Sequence, residues 1–214
     1  MKKRQLIELR NSLRRRGFWI DIIEGELVLD RWFSQANYNE MLTLLTGFGI
    51  SVEAGIRGIR VNTNSLVSEK LLLQVETAMK DDIERNVVRF TKPEFVILDG
   101  TNALEIFELD YGIASLVFSL NKVGLNTSMS CDGHGRVNPK IWFNGHDQLE
   151  EIRLILKKVN LYSSLAYDWD VKKDGNGIVL FGIQRLNADK FEVSKIQDDA
   201  LSISEFLVNE YLLV

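Results

Sequence analysis

Leu125-Asn-Thr-Ser-Met-Ser-Cys-Asp-Gly-His-Gly-Arg-Val-Asn-Pro-Lys-Ile-Trp-Phe143 is the stretch whose reading decides the fold. Its ends, 125–130 and 140–143, read as strands, and its polar, glycine-rich middle reads as a loop. Together they make a β-hairpin. Upstream, Glu108 to Lys122 reads as a helix stopped by Gly124, and Phe95–Leu98 as a short strand ending at Asp99-Gly100. Downstream, Asp147 offers a cap for a helix to about Lys158, with Leu149, Ile152, Ile155 and Leu156 as its apolar stripe. Tyr167–Val171 and Ile178–Ile183 then flank Asp174-Gly-Asn-Gly177, a strong hairpin turn signal. From residue 94 the order is strand, helix, strand, strand, helix, strand. That order predicts an α+β fold with a C-terminal ferredoxin-like βαββαβ sandwich, two helices on one face of an antiparallel sheet. Ile203–Leu213 reads as a final short helix.

Pro93 separates this pattern from a different one. Residues 1–92 read as a helix-rich N-terminal α+β extension, and 93–214 as the ferredoxin-like part. Leu6, Leu9 and Leu13 set a helix over 2–16, ended by Gly17. A hairpin follows, 18–23 and 26–29, turning at Glu24-Gly25. Ser34 is placed to cap a helix that runs through Leu45 to Gly47. Gly49–Val61 holds two short strands, and Val67 to Arg85 a longer helix.

The predicted topology gives the 131–138 loop its neighbours. Strands 95–98 and 125–130 would run parallel, so Asp99 and Cys131 would end at one edge of the sheet, about 10 Å apart with 140–143 between them. His146 follows the far end of the hairpin, about 20 Å away at strand rise, and is not expected to join them. The loop itself holds the chain's single cysteine, Cys131, and one of two histidines, His134, with Asp132 between them. Cys131 and His134 have the spacing of a zinc turn, and Asp99 or Asp132 would supply a third ligand, leaving an open position for an activated water. Arg136 and Asn138 would bind a substrate anion. A thiol mechanism would instead use His134 to lower the Cys131 pKa. The plainest reading makes Cys131 a buried small hydrophobe in a turn.

Bulk composition sets the class. The chain has 214 residues, 45% hydrophobic and 26% charged, which suits a globular protein rather than a disordered one. One cysteine allows no internal disulfide and fits a cytoplasmic location. No apolar run follows Lys2-Lys3-Arg4, so neither signal peptide nor membrane span is expected. Residues 1–16 carry seven Lys or Arg and one acid, making the segment +6 and the remainder of a −4 chain −10. A basic helix of this kind can meet nucleic acid, but it lacks interleaved aromatics for base stacking. It is expected instead to pack its leucines onto the body or onto a second copy, as a homo-oligomer. Asp198-Asp199 and Asp81-Asp82 read as exposed acids, and Trp19, Trp32, Trp142 and Trp169 as core or half-buried.

The reading reached from sequence is a cytoplasmic hydrolase-type enzyme with a zinc or other transition-metal ion on Cys131, His134 and Asp99 or Asp132. Cys131, Asp132 and His134 would carry the chemistry, and Arg136 and Asn138 would hold a small anionic substrate. The alternative is a non-enzymatic binding or regulatory protein. It would use the same loop or the basic helix to hold a ligand, nucleic acid or another protein.

Overall fold

The computed structural model describes residues 3–29, 34–55, 58–62, 67–77, 109–110, 112–185 and 190–211. Helix α1 (Lys3–Arg15) buries Leu6, Leu9 and Leu13 on one stripe, as the helical spacing predicts. Strands β1 (Ile20–Ile23) and β2 (Glu26–Leu29) form an antiparallel hairpin in register Ile23 with Glu26. Its two turn residues, Glu24 and Gly25, take φ of 53° and 82°, the left-handed pair that matches the twist of the strands. Ser34 caps α2 (Gln35–Gly47) by accepting the Asn37 N–H at 3.1 Å. Strands β3 (Val52–Ala54) and β4 (Ile59–Val61) complete a four-stranded sheet ordered β1-β2-β4-β3, and α3 (Glu69–Thr77) packs against α1.

The basic face of α1 is largely answered within the chain. Arg14 pairs with Asp21, Arg15 with Glu76 at 2.8 Å and Arg16 with Glu40 at 3.5 Å. A gel-shift titration is therefore expected to give no sub-micromolar, salt-sensitive nucleic-acid binding.

The second half begins, among described residues, at Leu109. Helix α4 (Ala114–Lys122) is followed by β5 (Thr127–Cys131), β6 (Lys140–Asn144), α5 (Leu149–Tyr162), β7 (Asp168–Asp174), β8 (Gly177–Ile183) and α6 (Val193–Tyr211). The two hairpins join through β6 and β8 into an antiparallel sheet ordered β5-β6-β8-β7. Alternation along β7 puts Trp169 and Val171 into the core and Asp168 and Asp170 into solvent. Helices α4, α5 and α6 cover the inner face through Leu116, Ile155, Ile203 and their neighbours. A separate core, from Leu6 to Val75, belongs to the first half. The protein is thus a mixed α+β chain with two four-stranded antiparallel sheets and six α-helices among the described residues. None of those helices is long and apolar enough to cross a membrane.

Three expectations change, and a fourth, the ferredoxin-like order, is not confirmed. Among the described residues β6 pairs with β5 on one edge and with β8 on the other. The described residues therefore support the α+β class but do not confirm the ferredoxin-like βαββαβ order. That 95–98 strand, Asp99 and Asp81-Asp82 lie outside the described residues. The helix expected from Glu108 starts only at Ala114, with Leu109 and Asp110 in the turn before it. Asp147 makes no cap, since α5 begins after Gln148 with no side-chain hydrogen bond. The last helix begins ten residues earlier, at Val193, because Val193, Ile196, Ala200, Ile203 and Leu207 keep one apolar stripe running through it.

Asn37 joins the two halves. Its side chain is fully buried, donates to the Phe191 carbonyl at 2.9 Å and accepts the Val193 N–H at 2.8 Å. Asn37→Ala leaves both backbone groups unpaired away from water, so chemical denaturation should give a loss of about 2–4 kcal/mol.

Candidate metal centre

The site grows out of the end of β5. Cys131 is its last residue, half-buried, and Asp132 turns the chain away by accepting the His134 N–H on Oδ1 at 2.8 Å. Gly133, His134 and Gly135 then take φ of 73°, 50° and 68° in succession. Left-handed backbone is free for glycine and costs other residues about 1–2 kcal/mol, so His134 alone carries strain in this turn. Backbone N–H groups of Arg136 and Val137 close the loop on the Gly133 carbonyl. Asn138 ties it to β8 by donating to the Gly182 carbonyl at 2.6 Å.

Asp132 is the hub. Only 1% exposed, it also accepts the Gly112 N–H on Oδ2 at 3.1 Å, while its own N–H donates to Asp110 Oδ2 at 3.1 Å. A Cβ on Gly112 would lie 2.7 Å from the Asp132 side chain, so only glycine lets the backbone come this close. Gly17, from the turn after α1, closes in from the other half of the chain, and a Cβ there would lie 3.2 Å from Asp132 Oδ2.

The imidazole of His134 sits between two carboxylates. Nδ1 is 3.2 Å from Asp132 Oδ1, and Nε2 is 3.8 Å from Asp110 Oδ2. Nδ1 is buried and makes no aligned hydrogen bond among the described residues. One ligand atom each from Asp110, Cys131, Asp132 and His134 lies within 4.8 Å of every other, so the four can hold a metal ion. Donor atoms around one tetrahedral ion are roughly 3.3–3.8 Å apart, so the group need tighten by only about 1 Å.

The electrostatics of this group favour a cation. Burial, reinforced by the charges of Asp110 and Asp132, pushes the Cys131 thiol up to about 11, although the Gly133 N–H works against it at 3.4 Å. Burial and then the Asp110 charge push the Asp132 carboxyl up to about 6, against the opposing pull of His134 and of two backbone N–H groups. The Cys131 thiol and the Asp132 carboxyl thus sit where negative charge is costly. A thiol at that pKa is a poor free nucleophile, which counts against a metal-free cysteine mechanism.

No protein-family model, curated protein or solved structure matches this chain.

The loop residues singled out in the sequence do not all converge. Cys131, Asp132 and His134 meet; Asn138 is engaged with β8; Arg136 is exposed, its guanidinium 5.6 Å from the Trp19 ring centroid. His146 is not in the group that can hold an ion. Asp110 was missed, because an uninterrupted helix from Glu108 hid it. Asp110-Tyr-Gly112 before an apolar run was the available signal, since glycine there marks a helix boundary more readily than a helix interior. Trp19, whose ring centroid lies 5.4 Å from that of His134, gave no sequence signal, because its approach depends on how the two halves pack.

Gly135 offers a local test. A Cβ there would lie 2.6 Å from Asn37 Nδ2, on backbone of positive φ. Gly135→Ala should therefore cost about 2 kcal/mol in denaturant unfolding and misplace His134.

Proposed function

We propose that this protein is a metal-dependent, hydrolase-type enzyme with one zinc ion bound by Asp110, Cys131 and His134 Nε2. The observation that carries the reading is the 3.8 Å gap between His134 Nε2 and Asp110 Oδ2, the spacing of two donors on one ion. Asp132, 3.2 Å from Nδ1, then acts from behind the ring: a small rotation of the imidazole lets Nδ1–H donate to it, fixing the tautomer that frees Nε2 for the metal. Three ligands leave the fourth position for water, whose pKa the ion lowers toward neutrality. Arg136 holds the anionic part of a small substrate. In a reducing cytoplasm the lone thiol stays available as a ligand.

The experiment is hydrolysis of a panel of chromogenic anionic esters by protein purified without an affinity tag. Turnover that a chelator removes and one equivalent of zinc restores supports the enzyme. Turnover unaffected by the chelator, or absent with zinc bound, counts against it. One observation favours a non-enzymatic binding role: Asp132 and Asp110 already accept three backbone N–H groups, as a structural tie would. In that case Asp132 becomes the fourth ligand and closes the site. Cobalt substitution separates the two, because visible absorption bands that shift on adding small anions require an open position.

A further inference from the structure

We infer that Trp19 positions the His134 imidazole for the ion, so that the metal site in the second half of the chain is completed by the first. This inference rests on the metal-site reading. His134 needs support, because its backbone is strained at φ of 50° and its buried Nδ1 makes no aligned hydrogen bond among the described residues. A hydrogen bond from Nδ1 to Asp132 would settle which nitrogen carries the proton, but one bond leaves the ring free to turn about it. The plane of the ring has to be held by packing. The indole of Trp19 supplies that packing: its ring centroid lies 5.4 Å from that of His134, with the planes tilted by 42°. That is within the range of a direct aromatic contact. The same indole centroid lies 5.6 Å from the Arg136 guanidinium carbon, so the loop meets it at two residues.

Trp19 suits the task because it is itself fixed. Its neighbours Phe18 and Ile20 are fully buried in the core of the first half. Gly17 and Phe18 donate backbone N–H groups to the Arg14 and Leu13 carbonyls at 3.0 and 2.9 Å, which ties the segment to the end of α1. The Arg14 guanidinium carbon lies over the indole, 4.6 Å from its centroid, and Arg14 Nε donates to the Ile20 carbonyl at 2.7 Å. Gly17 meanwhile brings backbone against Asp132, where a Cβ would lie 3.2 Å from Oδ2. One short segment, 17–19, thus braces the imidazole that binds the ion and the carboxylate behind it. With the imidazole already held, binding the ion no longer bears the cost of ordering it. The linkage is reciprocal: if the docked segment favours zinc, zinc favours the docked segment by the same factor.

Zinc itself is the probe, its affinity measured on the full chain by competition with a chromogenic chelator. The expected result is a loss of about tenfold or more in Trp19→Leu, with Trp19→Phe within about threefold of wild type because it restores an aromatic face. Leu9→Ala is the control: Leu9 is fully buried in the same core, and its loss loosens that core without removing the indole. It should leave zinc affinity at the wild-type value. Amide hydrogen exchange on wild type reads the reciprocal effect, with zinc slowing exchange at Gly17 and Phe18 by about tenfold. Should Trp19→Leu fail to fold, the exchange measurement decides alone. Zinc affinity in Trp19→Leu equal to wild type overturns the inference, as does a loss in Trp19→Phe or Leu9→Ala as large as in Trp19→Leu. Exchange at 17–18 unchanged by zinc overturns it too. A wild type that binds no zinc removes the metal-site reading and this inference with it, whereas zinc bound equally well without the indole removes the inference alone.

Discussion

Asp199→Ala is expected to lower the unfolding free energy by about 3–6 kcal/mol, the largest stability loss of any substitution considered for this chain. Sequence alone places Asp199 beside Asp198 as one of two exposed acids. In the fold it is 3% exposed on the inner side of α6, where it accepts the Ala166 N–H at 2.7 Å, the Tyr167 N–H at 3.0 Å and the Trp169 indole N–H at 2.9 Å. Those three donors open the β7 strand and hold the tryptophan that fills the main core. Alanine removes all the acceptors and leaves the donors buried, each costing about 1–3 kcal/mol, with some recovered by local relaxation. Asp199→Asn keeps one carbonyl oxygen and should cost less. Guanidinium denaturation of both variants reads this directly, and a loss under 1 kcal/mol for the alanine variant would contradict the role given to Asp199.

The second large effect is on metal affinity. Cys131→Ala and His134→Ala should each weaken zinc binding by at least two orders of magnitude, because in the proposed coordination each removes a ligand from a set of three. Asp132→Asn should weaken it by about 10–100-fold, the range for a residue that orients a ligand from behind. The pH dependence carries a sign that distinguishes the two forms. In metal-free protein the Asp132 carboxyl is raised to about 6 from an ordinary 3.8. The folded state then holds the proton more tightly than the unfolded chain. The stability contributed is full below about 4 and is lost as pH rises through about 6. With zinc bound, the ligands must be deprotonated, so acid competes with the ion and stability falls as pH falls. Melting temperatures of wild type and Asp132→Asn between pH 4 and 7, with and without chelator, should show a wild-type difference of opposite slope in the two forms. Parallel slopes would remove the metal from this account.

Local structure was readable in the sequence wherever a short-range rule sufficed. The Glu24-Gly25 and Asp174–Gly177 hairpins, the Ser34 cap and the β5–loop–β6 unit follow from turn and capping chemistry within a few residues. The meeting of Cys131, Asp132 and His134 belongs to the same class, since two glycines and an Asp side-chain turn hold it. What was not readable depends on contacts distant in sequence. That β8 pairs with β6 as well as with β7 is a long-range choice that no local signal at 178–183 announces. Burial of Asp199 depends on α6 lying over the start of β7. Asp110 joins the cluster because Gly112 lets the backbone touch Asp132, a close approach seen only in three dimensions. The convergence of Gly17 and Trp19 on the loop is likewise a property of how the two halves meet.

The proposed metal site holds a single ion through sulfur at the end of β5. Zinc-edge X-ray absorption on protein purified without an affinity tag, with metal content quantified on the same sample, tests it most directly. The expected result is one zinc per chain with one sulfur neighbour at about 2.3 Å and the remaining neighbours nitrogen or oxygen at about 2.0–2.2 Å. The sulfur signal should disappear in Cys131→Ser. Protein free of metal after incubation with zinc, or zinc surrounded by light atoms only, would contradict it.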